Sequence, residues 1–168
     1  MLNGNLYVTE CLGLSGGYSD AVLEKISKIA RENKINTILV EQNFGGGMFS
    51  ELLKPFLMRF HPCQLEDVRN NKTKELRIID TLEPVMNSHR LIIDRKVIEK
   101  DFRSNPQETP ERRLKLQLVY QLSRISRHRG SLVHDDLVDS LAGAVAYWTE
   151  YMAPVSYTHL RAHETQDD

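Results

Sequence analysis

The sequence has few cysteines and no long apolar run, and each of these absences excludes a class of protein. Its two cysteines, Cys11 and Cys63, are too few and too far apart for a disulfide framework or a zinc site. No apolar run approaches the roughly 20 residues that a membrane-spanning helix needs. The start also lacks the basic-then-apolar pattern of a signal peptide. We therefore expect a soluble protein of a reducing, intracellular compartment.

An excess of one charge sign is also lacking. The formal net charge is -1, so the composition as a whole gives no nucleic-acid signal. A phosphate-binding loop of the form GxxxxGK(S/T) is absent, which leaves ATP binding of that kind without support. With 168 residues, 40% of them hydrophobic and 27% charged, the chain has the length and composition of one soluble globular domain.

The two ends of the chain differ from the rest. Asn3-Gly4 is typical of a hairpin turn, because both positions of a type I′ turn need positive φ. Only two residues precede it, so the pattern indicates that the chain begins inside a domain and lacks its first strand; a frayed terminus is the alternative. Residues 155–168 have no helical or alternating pattern and resemble a translated sequencing adapter. We predict a domain over residues 1–154 and a non-native or disordered tail over residues 155–168.

Short apolar runs alternate with helical patterns between these ends. Strands are predicted over 6–12, 35–41, 63–68 and 90–93, and helices over 19–33, 48–57, 72–87, 96–103, 115–126 and 136–151, with an interruption near Pro84 and a flexible loop over 104–111. This order predicts an α/β domain with a central sheet flanked by helices.

Glu41 ends a predicted buried strand just before a glycine run, which is where open α/β sheets place ligand and catalytic groups. A solvent-exposed strand end is the alternative when Glu41 is considered alone. The run Gly45-Gly46-Gly47 favours a close approach of the backbone to another backbone or to DNA.

Three carboxylates begin the last predicted helix. Asp136 and Asp139 are one turn apart and share a face, whereas Asp135 points elsewhere. Plain capping is the alternative, since aspartates favour a helix start by about 0.3 to 1 kcal/mol. Together with Glu41, however, Asp136 and Asp139 supply the oxygen ligands that suit Mg²⁺ or Mn²⁺. Two such ions about 3.5 to 4 Å apart can activate water for phosphodiester cleavage.

Two basic groups accompany these carboxylates. The larger carries six positive charges over residues 111–130, and the smaller consists of Lys72, Lys74 and Arg77. Each is either a solvated face or a surface that contacts phosphates, and the second interpretation predicts a steep loss of DNA affinity with added salt.

Three ordered segments carry a resemblance to a known family. VEQNFGGGMF at 40–49, KELRIIDTLEPVM at 74–86 and HDDLVD at 134–139 resemble the nuclease domain of the large terminase subunit, or DNA maturase, of short-tailed double-stranded DNA phages. The similarity runs from about residue 4 to about residue 152. It implies an RNase H-like fold with a central mixed sheet.

The resemblance also implies a function, namely a metal-dependent endonuclease that cuts concatemeric viral DNA. Of the three acidic positions that hold metals in the family, Glu41 matches the second and Asp136 the third. Asp139 is a candidate further ligand, and His134 and Asp135 are candidates to support the ligands. In the complete domain the site would hold Mg²⁺ or Mn²⁺, two ions in all.

DNA contact and partners follow from the same resemblance. Lys74 and Arg77 fall in the family's basic motif near the active site, so they are expected to contact double-stranded DNA. An upstream ATPase domain, the small terminase subunit and the portal are the expected protein partners, in the host cytoplasm and without a membrane.

The first acidic position of the family has no match in this chain, because it lies on the strand that the Asn3-Gly4 turn indicates is missing. We expect the chain alone to cleave DNA poorly or not at all. Two alternatives stay open: a junction resolvase or recombinase of the same fold, and a non-catalytic module that binds DNA or docks the portal.

Overall fold

A computed structural model describes residues 3–42, 47–69 and 72–152. Its strands and helices alternate along the chain, which confirms the predicted α/β class. The strands are β1 (Leu6–Val8), β2 (Thr37–Glu41), β3 (Gln64–Val68) and β4 (Leu91–Ile93). The helices are α1 (Asp20–Glu32), α2 (Met48–Phe60), α3 (Lys74–Asn87), α4 (Arg95–Arg103), α5 (Pro110–Lys115), α6 (Leu118–Arg124) and α7 (Asp136–Met152).

The strands form two small parallel sheets. In one, β1 pairs with β4 so that Leu6 lies opposite Leu91. In the other, β2 pairs with β3 so that Glu41 lies opposite Val68. Parallel neighbours need a long connection, and α2 provides it between β2 and β3. The predicted single central mixed sheet is therefore not what the described residues form; they form two separate parallel pairs.

The larger core lies where α3, α6 and α7 pack around β1. Apolar residues on α3 and α7 recur every three or four positions, so each helix has one apolar face that it buries against its neighbours. The buried members of this core are Leu6, Ile78, Leu82, Val85, Leu118, Val138, Leu141, Ala142 and Val145.

A second core lies between α1, α2 and the sheet of β2 and β3. Leu23 and Ala30 of α1 pack with Leu53 and Leu57 of α2, and all four are buried. This core packs against β2 from one side and so positions the end of that strand.

The helix expected over 115–126 is present as the shorter α6, but α5 was not predicted and begins at Pro110, inside the flexible loop expected over 104–111. The buried carboxylate of Asp101 accepts the backbone N–H of Leu118 at 2.8 Å and that of Val119 at 3.1 Å. These bonds satisfy amides at the start of α6, which therefore begins as a new helix after Lys115.

Smaller differences also have local causes. The helix predicted to be interrupted at Pro84 runs unbroken to Asn87, with Pro84 in its last turn. The backbone N–H of Ser88 donates to the Pro84 carbonyl at 3.1 Å and closes the helix end. The first strand is shorter than predicted and ends at Val8. Asn3 and Gly4 both have positive φ, at 51° and 79°, which confirms the predicted turn conformation.

Two predictions fall on residues outside the described part of the chain: the close approach expected at the glycines at 45 and 46, and the tail over 155–168. Within the described part, no helix is long and apolar enough to cross a membrane.

Candidate functional site

An open groove of about 1050 Å³ runs along β2 and α7, from residue 34 to the end of β2 and from the first turn of α7 to Glu150, and reaches the start of α3. Alternate residues of β2 line one wall, because every second side chain of a strand points to the same face. These are Thr37, Leu39 and, at the end of the strand, Glu41. The groove thus places the last residue of β2 opposite the first turns of two helices.

The first turn of α7 supplies Asp136 and Asp139 to this groove. Asp136 is exposed, whereas only 8% of Asp139 is exposed. The difference arises because Val138 and Leu141 turn one face of α7 into the core. Asp139 borders that face, and Asp136 lies at the rim.

Capping of α7 is supplied from another helix. The side-chain oxygen of Gln121, itself buried, accepts the backbone N–H of Leu137 at 3.2 Å and that of Val138 at 3.0 Å. Amides at a helix start usually receive such a partner from a nearby Asp, Asn, Ser or Thr. Gln121 therefore satisfies these two amides, while Asp136 and Asp139 still lie in the first turn, where the helix dipole favours acidic side chains.

Arg77 of α3 joins two of the predicted carboxylates. Its Nη2 donates to Oδ1 of Asp139 at 2.6 Å and lies 3.7 Å from Oε1 of Glu41. The side chains of Arg77 and Asp139 are only 13% and 9% exposed, so this is a largely buried ion pair. Such a pair is stabilised by mutual attraction and is costly to break by removing one partner.

Lys74, one turn earlier on α3, holds two carboxylates at the start of α7. Its Nζ lies 2.8 Å from Asp135 and 3.2 Å from Asp139. Burial by itself would lower the pKa of Lys74, but the hydrogen bonds to the two aspartates outweigh it, and the pKa lies above its ordinary value.

The structure brings most of the predicted site residues together. Glu41, Lys74, Arg77, Asp136 and Asp139 all line the groove. Asp135 accepts a hydrogen bond from Lys74 and so contacts the same site. His134 precedes α7 and is half-buried, and in the part of the chain that the structure describes it has no hydrogen bond or ion pair.

The donor chemistry of the groove suits a hard divalent cation, which prefers carboxylate oxygens. Within residues 3–42, 47–69 and 72–152, however, no three acidic, histidine or cysteine side chains are already grouped as ligands. Asp135 and Asp139 face Lys74 and Arg77 instead. The residues fit Mg²⁺ or Mn²⁺ in chemistry, and basic side chains balance part of their charge.

Further positive charge lines the groove. Lys72, from the predicted smaller basic group, lies there together with Lys34 and Arg69, which sequence reasoning missed. Arg69 directly follows β3, and its Nε donates to the side chain of Gln42 at 2.7 Å. The signal that could have found Arg69 is its position, because the ends of neighbouring parallel strands meet at one edge of a sheet.

The larger basic group over 111–130 is partly neutralised at the surface. Arg112 pairs with Glu108, Lys115 with Glu111, and Arg127 with both Asp80 and Glu83. Exposed pairs of this kind contribute little to stability. They support the interpretation of this group as a solvated face, and contact with phosphates there stays a prediction.

Comparison with known proteins agrees with the resemblance carried by the sequence motifs. Residues 1–91 match the family model described as Terminase Bacteriophage T7, Ribonuclease H-like domain. The chain belongs to this terminase family. The match includes Glu41, Lys74 and Arg77 and supports an RNase H-like domain.

A relative extends this likeness beyond the region matched by the family model. The terminase large subunit of Enterobacteria phage T3 is 41% identical to the chain over 146 residues, which is 87% of this chain and 25% of the relative. The terminase-family chain therefore spans about a quarter of the length of that phage protein.

Proposed function

We propose that the chain is the nuclease domain of a viral DNA-packaging terminase and that it cuts concatemeric double-stranded DNA with the help of divalent metal ions. One observation carries the proposal: Glu41 from the end of β2 and Asp136 and Asp139 from the start of α7 line a single groove. They come from distant parts of the sequence, and the fold brings them to the same groove. Membership of a terminase family with a Ribonuclease H-like domain supports the proposal that this arrangement hydrolyses DNA.

Each acidic residue has a role in this proposal. Glu41 and Asp136 would hold Mg²⁺ or Mn²⁺, with Asp139 as a further ligand and Asp135 and His134 as supports. When bound, two such ions supply an activated water and stabilise the leaving oxygen of a phosphodiester. Asp136 is exposed to the groove, so its carboxylate is accessible to an ion arriving from solvent.

The basic side chains of the groove would bind the DNA backbone. Lys72 and Arg69 line it, and Lys74 and Arg77 lie deeper beside the carboxylates. Cations in these places attract the phosphates of a duplex and hold the backbone next to the acidic residues. Basic side chains of α3 and of the segment after β3 would thus position the phosphate.

The proposal includes the setting of the whole protein. An ATPase domain, the small terminase subunit and the portal would be the protein partners, and the host cytoplasm the location. The chain spans 25% of its T3 relative, which leaves room in such a protein for further domains.

Titration calorimetry with Mn²⁺ tests the metal-holding role. The 168-residue chain should bind Mn²⁺ above the nonspecific level, and Asp136→Asn should weaken binding at least about tenfold, since removal of a ligand or its support typically costs about 10- to 100-fold. Asp80→Asn is the matched control, because it removes an acidic charge from the outer face of α3. Equal affinities in all three proteins would contradict the proposal.

A second candidate function is a non-catalytic module that binds DNA or docks the portal. The ion pairs of Asp135 and Asp139 with Lys74 and Arg77 favour it, because they give both carboxylates a structural role. This candidate predicts no specific Mn²⁺ binding in the same calorimetric experiment and no effect of Asp136→Asn.

A further inference from the structure

One nitrogen atom of Arg77 contacts carboxylates from two different elements of the fold. Nη2 lies 2.6 Å from Asp139 of α7 and 3.7 Å from Glu41 at the end of β2. We propose that Arg77 is a built-in counter-ion, which divalent metal displaces from these carboxylates and which then binds a DNA phosphate. This inference rests on the proposed function, and it adds a coupling between metal binding and DNA binding.

In the metal-free state Arg77 neutralises the buried Asp139. Asp139 is 9% exposed at its side chain, and an unpaired carboxylate at that depth is strongly unfavourable. Arg77 removes this penalty, with help from Lys74, which is shared between Asp139 and Asp135. The protein can therefore keep its carboxylates close together before a metal ion arrives.

The guanidinium of Arg77 is incompletely hydrogen-bonded. Its Nε is buried and has no hydrogen-bond partner in the part of the chain that the structure describes. A buried donor without a partner is rare in proteins and is costly. Moreover, the 3.7 Å separation from Glu41 exceeds hydrogen-bond length. Arg77 is thus an imperfect match for the space between the two carboxylates, and a divalent ion brings twice its charge.

A DNA phosphate in the groove is the new partner proposed for the displaced guanidinium. Arg77 lines the same groove as Lys72 and Arg69, along which the phosphates of a duplex are proposed to run. Guanidinium binds phosphate oxygens in pairs and without loss of its charge. Metal that takes over Asp139 frees Arg77 for a phosphate, and a phosphate that takes Arg77 frees Asp139 for metal. By linkage, each ligand then strengthens the other equally.

The variant Arg77→Gln tests this exchange in the 168-residue chain. Removing the competing cation should tighten Mn²⁺ binding by about fivefold or more, the lower end of typical coupling. A short duplex with cleavage-resistant phosphorothioate linkages should tighten Mn²⁺ binding more in the wild type than in Arg77→Gln. The matched control is Arg127→Gln, which removes the same charge from an exposed ion pair with α3 and should stay within about twofold of the wild type.

A nuclear magnetic resonance titration of the wild type serves if Arg77→Gln does not fold. In protein labelled with nitrogen-15 at arginine, Mg²⁺ should shift the Nε–H resonance of Arg77 and leave that of Arg127 in place. Wild-type binding of Mn²⁺ with no gain in Arg77→Gln, or an unmoved Arg77 resonance at saturating Mg²⁺, would overturn the exchange alone. Failure of both proteins to bind Mn²⁺ would overturn the proposed metal site together with it.

Discussion

Arg77 and Asp139 form a largely buried ion pair that ties the start of α3 to the start of α7, with 2.6 Å between Nη2 and Oδ1. Both helices bury their apolar faces in the larger core. The pair is therefore both a structural link between helices and a part of the groove proposed to bind metal and DNA.

Loss of the Asp139 carboxylate should destabilise the fold. In Asp139→Ala the guanidinium of Arg77 loses its short partner, and breaking a buried pair from one side costs about 3 to 5 kcal/mol. Urea denaturation in the presence of EDTA measures this change. Asp136→Ala is the control, because Asp136 is exposed and its removal should change stability by no more than about 0.5 kcal/mol. Equal losses in the two variants would contradict the larger contribution expected of the buried pair.

Gln121 should be required for the start of α7. Gln121→Met keeps the approximate size of the side chain and removes the oxygen that accepts the amides of Leu137 and Val138. Leaving these amides without a partner should lower the free energy of unfolding by about 1 to 3 kcal/mol. Thermal and urea denaturation both report this loss. The exposed Gln107→Met serves as the control and should unfold like the wild type.

The groove, rather than the basic stretch over 111–130, should set the salt dependence of DNA binding. Lys72→Gln removes a cation that lines the groove, so the slope of log affinity against log salt should fall by about 1. Arg112→Gln removes a cation already paired with Glu108 and should leave the slope unchanged. Fluorescence anisotropy with a labelled duplex at several salt concentrations gives both slopes. The reverse result would place the DNA at the basic stretch over 111–130.

Lys74 should give the fold a pH-dependent contribution to stability. Because the pKa of Lys74 is raised in the folded protein, its contribution is complete below the ordinary value of 10.5 and fades as the pH rises through the folded value. The stability difference between the wild type and Lys74→Met should thus be constant from neutral pH to about pH 9 and shrink above 10.5. Urea denaturation across this range measures it, with Lys25→Met as the exposed control. A difference that grows above pH 10.5 would contradict the raised pKa.

The sequence was informative where a local pattern decides the structure. Strand and helix patterns placed Glu41 at the end of a strand and Asp136 at the start of a helix, because both positions follow from short runs of apolar residues. The motifs around Lys74 and Arg77 also led to the family that the comparisons confirm.

Contacts between distant elements could not be predicted in the same way. The pairing of Arg77 with Asp139 depends on how α3 packs on α7, which no local pattern contains. Capping of α7 by Gln121 comes from a side chain one helix earlier, and the two separate sheets arise from long-range strand pairing. Only the packed structure shows that Asp136 is exposed and Asp139 is buried.

Nicking of supercoiled plasmid DNA at saturating Mn²⁺ tests the central claim, a metal-dependent nuclease, most directly. Because the first acidic position has no match, at most slow nicking by the 168-residue chain is expected; any nicking should stop with EDTA and be lost in Asp136→Ala, while Asp80→Ala keeps the wild-type rate. Nicking that persists in EDTA or in Asp136→Ala would contradict the metal-dependent site.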